Sequence, residues 1–124
     1  MKQKALRVGD YLGHLLAAIQ RIRRYTANKT YADFTFDEQL QDAVVRNIEI
    51  IGEAARNVER DMPDFAALYP QIPWAALYAM RNRVAHGYWT VDLEIVWQVV
   101  QRDLPTLEEQ IQLPSRIHGA SDQP

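Results

Sequence analysis

Residues 35–60 read TFDEQLQDAVVRNIEIIGEAARNVER. Leu40, Val44, Ile48, Ile51, Ala55 and Val58 recur three or four positions apart, which puts them on one side of an α-helix. No proline interrupts the stretch, and its one glycine is Gly52. Thr35 is placed to cap the helix, and Glu38 to complete a capping box from the third helical position. The predicted helix is ~25 residues long, or ~37 Å at the α-helical rise. A chain organised around such a rod, with no sustained alternation of apolar and polar residues elsewhere, is all-α.

The rest of the chain follows the same period. Leu12, Leu15, Leu16, Ile19 and Ile22 form a stripe within residues 8–27, with Arg21, Arg23 and Arg24 mostly outside it. Residues 28–34 are polar and aperiodic and read as a loop. Residues 61–73 hold Pro63, Pro70 and Pro73, with room for a short helical turn at Phe65–Tyr69. Pro73 suits the first position of a third helix, running from Trp74 to about His86, with Gly87 as a left-handed stop. Thr90 or Asp92 opens a fourth helix bearing Leu93, Val96, Trp97, Val100, Leu104, Leu107 and Ile111, and Pro105 should kink or restart it. Around Ile95–Val100 that helix is apolar on more than one face. This favours a central position or burial against a second copy, and a homodimer is the economical expectation. The expected architecture is an up-and-down bundle of four main helices plus a short one: a single domain over residues 1–113, with 114–124 as a flexible C-terminal tail.

Composition narrows the function classes. The 124 residues carry 14 Lys+Arg and 16 Asp+Glu, for a formal net charge of −2. A general nucleic-acid coat protein would be basic, so any RNA contact needs a local patch. There is no cysteine, which excludes disulfide scaffolds, thiolate zinc sites and thiol catalysis and suits a reducing cytoplasm. No segment reaches the ~20 apolar residues of a membrane span, and the start of the chain lacks the apolar core of a signal peptide. The three histidines are scattered, so no metal site is expected, and the five scattered glycines form no phosphate loop.

The chemistry concentrates in Arg81-Asn82-Arg83-Val84-Ala85-His86-Gly87-Tyr88-Trp89. One reading is structural, since Arg and His near a helix C-terminus are favoured by the helix dipole. The other is RNA cleavage by attack of a ribose 2′-OH on the adjacent phosphodiester. Histidine, as at His86, is the residue type suited to either proton-transfer role near neutral pH, Arg81 offers a planar donor fork for the phosphate, and Asn82 can orient the imidazole or bind a phosphate oxygen. One His does not readily serve as both base and acid, so a two-fold composite site is attractive. Arg81 and His86 lie ~140° apart on a regular helix, so the helix must end or bulge between them, or the two face different parts of a groove. Glu49 and Glu53 share a face of the long helix and read as a solvated or salt-bridged pair. Glu53, beside Gly52, is a candidate structural contact for Arg81 or Arg83 where helices cross.

These residues resemble a known family. The Arg-x4-His-x-Tyr run, together with Arg46-Asn47-Ile48-Glu49-Ile50-Ile51-Gly52-Glu53-Ala54, Ile72-Pro73-Trp74 and Val91-Asp92-Leu93, is similar to HepT-like HEPN toxins over roughly residues 8–112. The resemblance implies an all-helical homodimer and a metal-independent endoribonuclease without cofactor, with RNA as substrate. It implies Arg81 and His86 as catalytic residues at a dimer-interface cleft, and Asn82 as a supporting group. It also implies a cognate antitoxin, a small nucleotidyltransferase of the MNT type, that transfers AMP onto Tyr88. The alternative is a non-catalytic helical module that binds such a nucleotidyltransferase, or RNA, through the same cleft.

Overall fold

The computed structural model describes residues 2–84 and 92–120. Among them there is no strand, and the chain is an all-α, HEPN-like bundle. Helix α1 spans Lys2–Thr26, α2 Tyr31–Thr35, α3 Glu38–Asp61, α4 Pro63–Leu68, α5 Trp74–Val84, α6 Leu93–Gln98 and α7 Leu104–Ala120; a π-helical turn at Val99–Asp103 joins the last two. Helix α1 packs between α3 and α7, and α3 carries α5 on its other side.

The stripes predicted from sequence form the core. Leu12, Leu15, Ile19 and Ile22 of α1 are buried against Val44, Ile48, Ile51, Ala55 and Val58 of α3 and Leu104, Leu107 and Ile111 of α7. One polar pair joins α1 to α3: Arg21 Nε donates to Oδ1 of buried Asn47 at 2.8 Å, and Asn47 Nδ2 donates to the Ala43 carbonyl at 2.8 Å. Both ends of the amide are therefore satisfied, as a buried amide requires. On the opposite flank Arg23 and Gln20 of α1 reach Glu108 of α7. Asn28, at φ 61°, takes the left-handed position just past α1, where asparagine substitutes for the usual glycine.

The structure departs from expectation, or refines it, at four places. Residues 28–34 are not wholly loop, because α2 forms there under a capping box between Thr30 and Asp33. The Thr30 amide, which donates to the Asp33 carboxylate, and then the Thr30 hydroxyl beside it hold that carboxyl below its ordinary pKa. The cap of α3 is accordingly Asp37, which accepts from the Leu40 amide at 3.0 Å, and not Thr35. Third, part of the apolar surface of α6 is covered from within the chain, while Leu93, Ile95 and Trp97 are only partly buried. Val96 is buried, and Trp97 stacks at 5.3 Å on buried Phe34 and at 6.2 Å on Tyr31, both from α2. Fourth, α7 continues past Leu113 to Ala120, with Pro114 inside it. Its far end is held where Tyr69 Oη meets His118 Nε2 at 3.0 Å and Phe65 meets the imidazole edge-on at 4.8 Å.

Other expectations match. Residues 63–68 form the short helix among the prolines, and α5 opens at Trp74, directly after Pro73. The Trp74 indole donates to the Ala66 carbonyl at 3.1 Å, tying α5 to α4. Asp92 caps α6 through the Ile95 amide. The disturbance expected at Pro105 takes the form of the π turn just ahead of it.

Candidate functional site

The site is built where α5 crosses α3, and Gly52 sets the distance. A Cβ at Gly52 would sit 3.3 Å from the Leu77 carbonyl oxygen, 3.6 Å from Tyr78 Cα and 3.5 Å from Arg81 Cδ. With only hydrogen there, the backbone of α5 lies directly against α3. The last turn of α5 then brings Arg81 over Glu53, and Arg81 Nη1 donates to Glu53 Oε1 at 2.5 Å. The Glu53 side chain is 55 % exposed and that of Arg81 34 %, so this is a surface ion pair. Such pairs contribute about 0–1 kcal/mol. It orients the guanidinium without committing it, since one carboxylate leaves most of the five N–H donors free.

Two further residues belong to the cluster. The Tyr78 ring lies under Arg81, with the guanidinium carbon 5.4 Å from its centroid. Arg56 of α3 approaches the same ring to 4.7 Å and donates to Tyr78 Oη at 2.5 Å. The crossing therefore shows two guanidiniums on one aromatic ring, with a single carboxylate pairing one of them. Such a surface favours an anion with extended negative charge, for which arginine forks are suited. Arg56 and Tyr78 were not singled out from the sequence. The cue was their helical spacing, since Arg56 follows Glu53 by three and Tyr78 precedes Arg81 by three.

The remaining predicted site residues sort simply. Asn82 is exposed on the last turn of α5. Arg83 turns the other way and lines a cavity of about 330 Å³ between α5, the π turn and α7, with Met80, Leu77, Arg102 and Asp103. Glu49 is exposed on α3, one turn before Glu53. His86 and Tyr88, with Gly87 and Trp89, lie outside the described residues. The nearest described anchor of that segment is the hydrogen bond from the Asp92 amide to the Val84 carbonyl at 2.9 Å, which ties the start of α6 to the end of α5. No helix among the described residues is long and apolar enough to cross a membrane.

The chain has relatives among known proteins. The sequence profile of the family described as "Ribonuclease HepT-like" matches residues 15–113. A "Probable ribonuclease HepT" of Thermococcus cleftensis is 39 % identical over 99 residues, covering 80 % of this chain and 87 % of that protein. A "Gamma-glutamylcyclotransferase and putative RNase" of Methanocaldococcus jannaschii is 45 % identical over 101 residues, covering 82 % of this chain but only 44 % of that protein. This chain thus spans less than half the length of the second relative. No solved structure matches. The profile match spans the helices of the α3–α5 crossing, Arg81 and the Arg-x4-His-x-Tyr run, and the chain belongs to the HepT-like ribonuclease family.

Proposed function

We propose that this protein is a metal-independent endoribonuclease, the toxin of a HEPN/MNT toxin–antitoxin pair, working as a homodimer. The observation that carries the reading is the Arg81 guanidinium, held at the α3–α5 crossing by Gly52, Glu53 and Tyr78 and still open to solvent. A phosphodiester approaching it meets a positioned fork whose present partner is a weak, exposed carboxylate. In the proposed reaction the ribose 2′-oxygen attacks phosphorus while a histidine takes its proton. The bond to the 5′-oxygen breaks, an acid protonates that oxygen, and a 2′,3′-cyclic phosphate remains. Arg81 stabilises the charge that develops on the phosphorane oxygens. His86 supplies one proton transfer and its copy in a second molecule supplies the other. Asn82 supports the phosphate or the imidazole.

Control follows from Tyr88, two residues beyond His86. A phenol has a reference pKa of ~10, so a nucleotidyltransferase partner must supply base, metal and ATP for AMP transfer to it. In this reading the phosphate of the adduct competes with RNA for the Arg81 guanidinium and repels the incoming backbone.

The test is incubation of purified protein with labelled RNA in EDTA. Cleavage with cyclic-phosphate ends is expected, and Arg81→Ala and His86→Ala should each lower it by roughly 10²-fold. Arg81→Ala should remain folded, because it removes only a surface pair. Full activity in His86→Ala, or strict dependence on Mg²⁺, would overturn the mechanism. Binding of RNA without cleavage would favour the non-catalytic module.

A further inference from the structure

A groove of about 190 Å³ runs between α1 and α3, lined by Tyr11, His14, Arg46, Glu49, Glu53 and Asn57. Glu53 stands on its edge and also pairs with Arg81, so the groove and the proposed phosphate site share a wall. Along α3 the lining residues Arg46, Glu49, Glu53 and Asn57 fall at intervals of three and four, forming one stripe about 16 Å long. The groove is smaller than the ~300 Å³ at which sites for drug-sized ligands begin. That size fits one planar group.

Its chemistry selects the kind of group. Tyr11 is partly buried and packed on the core, which gives a rigid aromatic wall. Arg46 is exposed and has no ion pair among the described residues. Aromatic rings and arginine planes are the surfaces on which single-stranded RNA bases stack. The Glu53 charge is answered by Arg81. The Glu49 carboxylate has no such partner among the described residues, so it repels a phosphate placed in the groove. An ionised carboxylate accepts hydrogen bonds and donates none. What it takes is therefore an uncharged group with N–H donors along one edge.

We propose that this groove receives a nucleobase next to the scissile phosphate, and that Glu49 is the residue that reads it. This rests on the ribonuclease reading. Guanine presents adjacent N1–H and N2–H donors that match both carboxylate oxygens. Uracil presents one N–H between two carbonyls, which the carboxylate repels. Arg46 then stacks on the base plane of the same nucleotide at the end of the stripe.

The experiment uses single-stranded RNA oligonucleotides that differ only in the base on either side of the mapped cleavage position. The wild type should prefer guanine over uracil at one of these positions by at least about tenfold, the scale of one good bidentate contact. Glu49→Gln, which exchanges one acceptor for a donor at an exposed position, should bring that ratio within about twofold. Arg46→Ala should raise KM more than it lowers kcat. Anisotropy of the same labelled oligonucleotides reads the groove without chemistry. A guanine preference in binding that Glu49→Gln abolishes supports the assignment even for an inactive protein. Cleavage by the wild type with no base preference, or a preference unchanged in Glu49→Gln, overturns the groove and leaves the ribonuclease reading standing. Neither binding nor cleavage of any RNA by the wild type overturns both.

Discussion

Gly52 and Gly13 both sit inside long helices, and the structure predicts opposite outcomes for the same substitution. Replacing a helical glycine by alanine stabilises by about 1 kcal/mol through helix propensity alone. At Gly13 an added Cβ meets nothing within 4 Å, so Gly13→Ala should gain that amount, or roughly 3–6 °C in a domain of this size. At Gly52 the added carbon lands 3.3 Å from the Leu77 carbonyl oxygen, which belongs to a helix backbone and cannot rotate away. Helix α5 must back off by a few tenths of an ångström. Overpacking of this kind costs about 1–3 kcal/mol, so Gly52→Ala should fall between neutral and about 2 kcal/mol less stable. The retreat also carries Arg81 from its place. Since a misplacement of ~1 Å costs about 10² in rate, a few tenths should lower RNA cleavage by about three- to tenfold. Thermal denaturation followed by circular dichroism, with cleavage assays on both variants, checks each part. If Gly52→Ala gains as much stability as Gly13→Ala and cleaves normally, the close crossing does not set the site.

Further outcomes are specific. Phe34→Ala removes the fully buried ring that covers Trp97, and should cost about 3–5 kcal/mol with a shift in tryptophan emission; a loss under 1 kcal/mol would show that α2 is dispensable. Light scattering should give about twice 14.4 kDa, and a monomer at micromolar concentration would remove the composite site. Tyr88→Phe should keep most ribonuclease activity yet resist silencing by a co-expressed nucleotidyltransferase. Intact mass should then show AMP on the wild type only, and an adduct surviving on Tyr88→Phe would place the switch elsewhere.

How far the sequence could be read depended on how local each feature is. Helices α1 and α3 run for several turns with one apolar stripe each, so their period was plain. Helix α2 has five residues and one core side chain, Phe34, too few to show a period. Its capping pair, Thr30 and Asp33, looks no better on paper than Thr35 and Glu38, and the burial of Phe34 against Trp97 is a contact between distant parts of the chain. The same contact covers only part of the apolar face of α6, whose Leu93, Ile95 and Trp97 are partly buried, and the dimer proposal rests on that remainder together with the need for a second histidine. Pro114 read as an end because nothing nearby in sequence reveals the hold of Tyr69 and Phe65 on His118. At the site, the meeting of Glu53 with Arg81 was suggested by the small residue beside it. The stacking of Arg56 and Arg81 on Tyr78 depends on how two helices cross, which spacing along either one does not state.

The π turn at Val99–Asp103 bears on where this chain tolerates a change in length. A π turn amounts to one extra residue absorbed within a helix, and its hydrogen bonds reach back five residues, as the Leu104 amide does to the Val99 carbonyl. The segments before and after it keep a common inward face, so Val96 and Val100 share the core with Leu104, Leu107 and Ile111. Removing one residue from an ordinary α-helix swings everything downstream by about 100°. Removing one here converts the wide turn to an α turn and leaves the inward face in place. Pro105 then becomes the obstacle, because its ring would press on the carbonyl four residues back in a regular helix. Deletion of Gln101 alone should therefore be damaging, and the same deletion with Pro105→Ala mild. In that comparison the extra residue and the proline should behave as a matched pair, tolerated together or removed together.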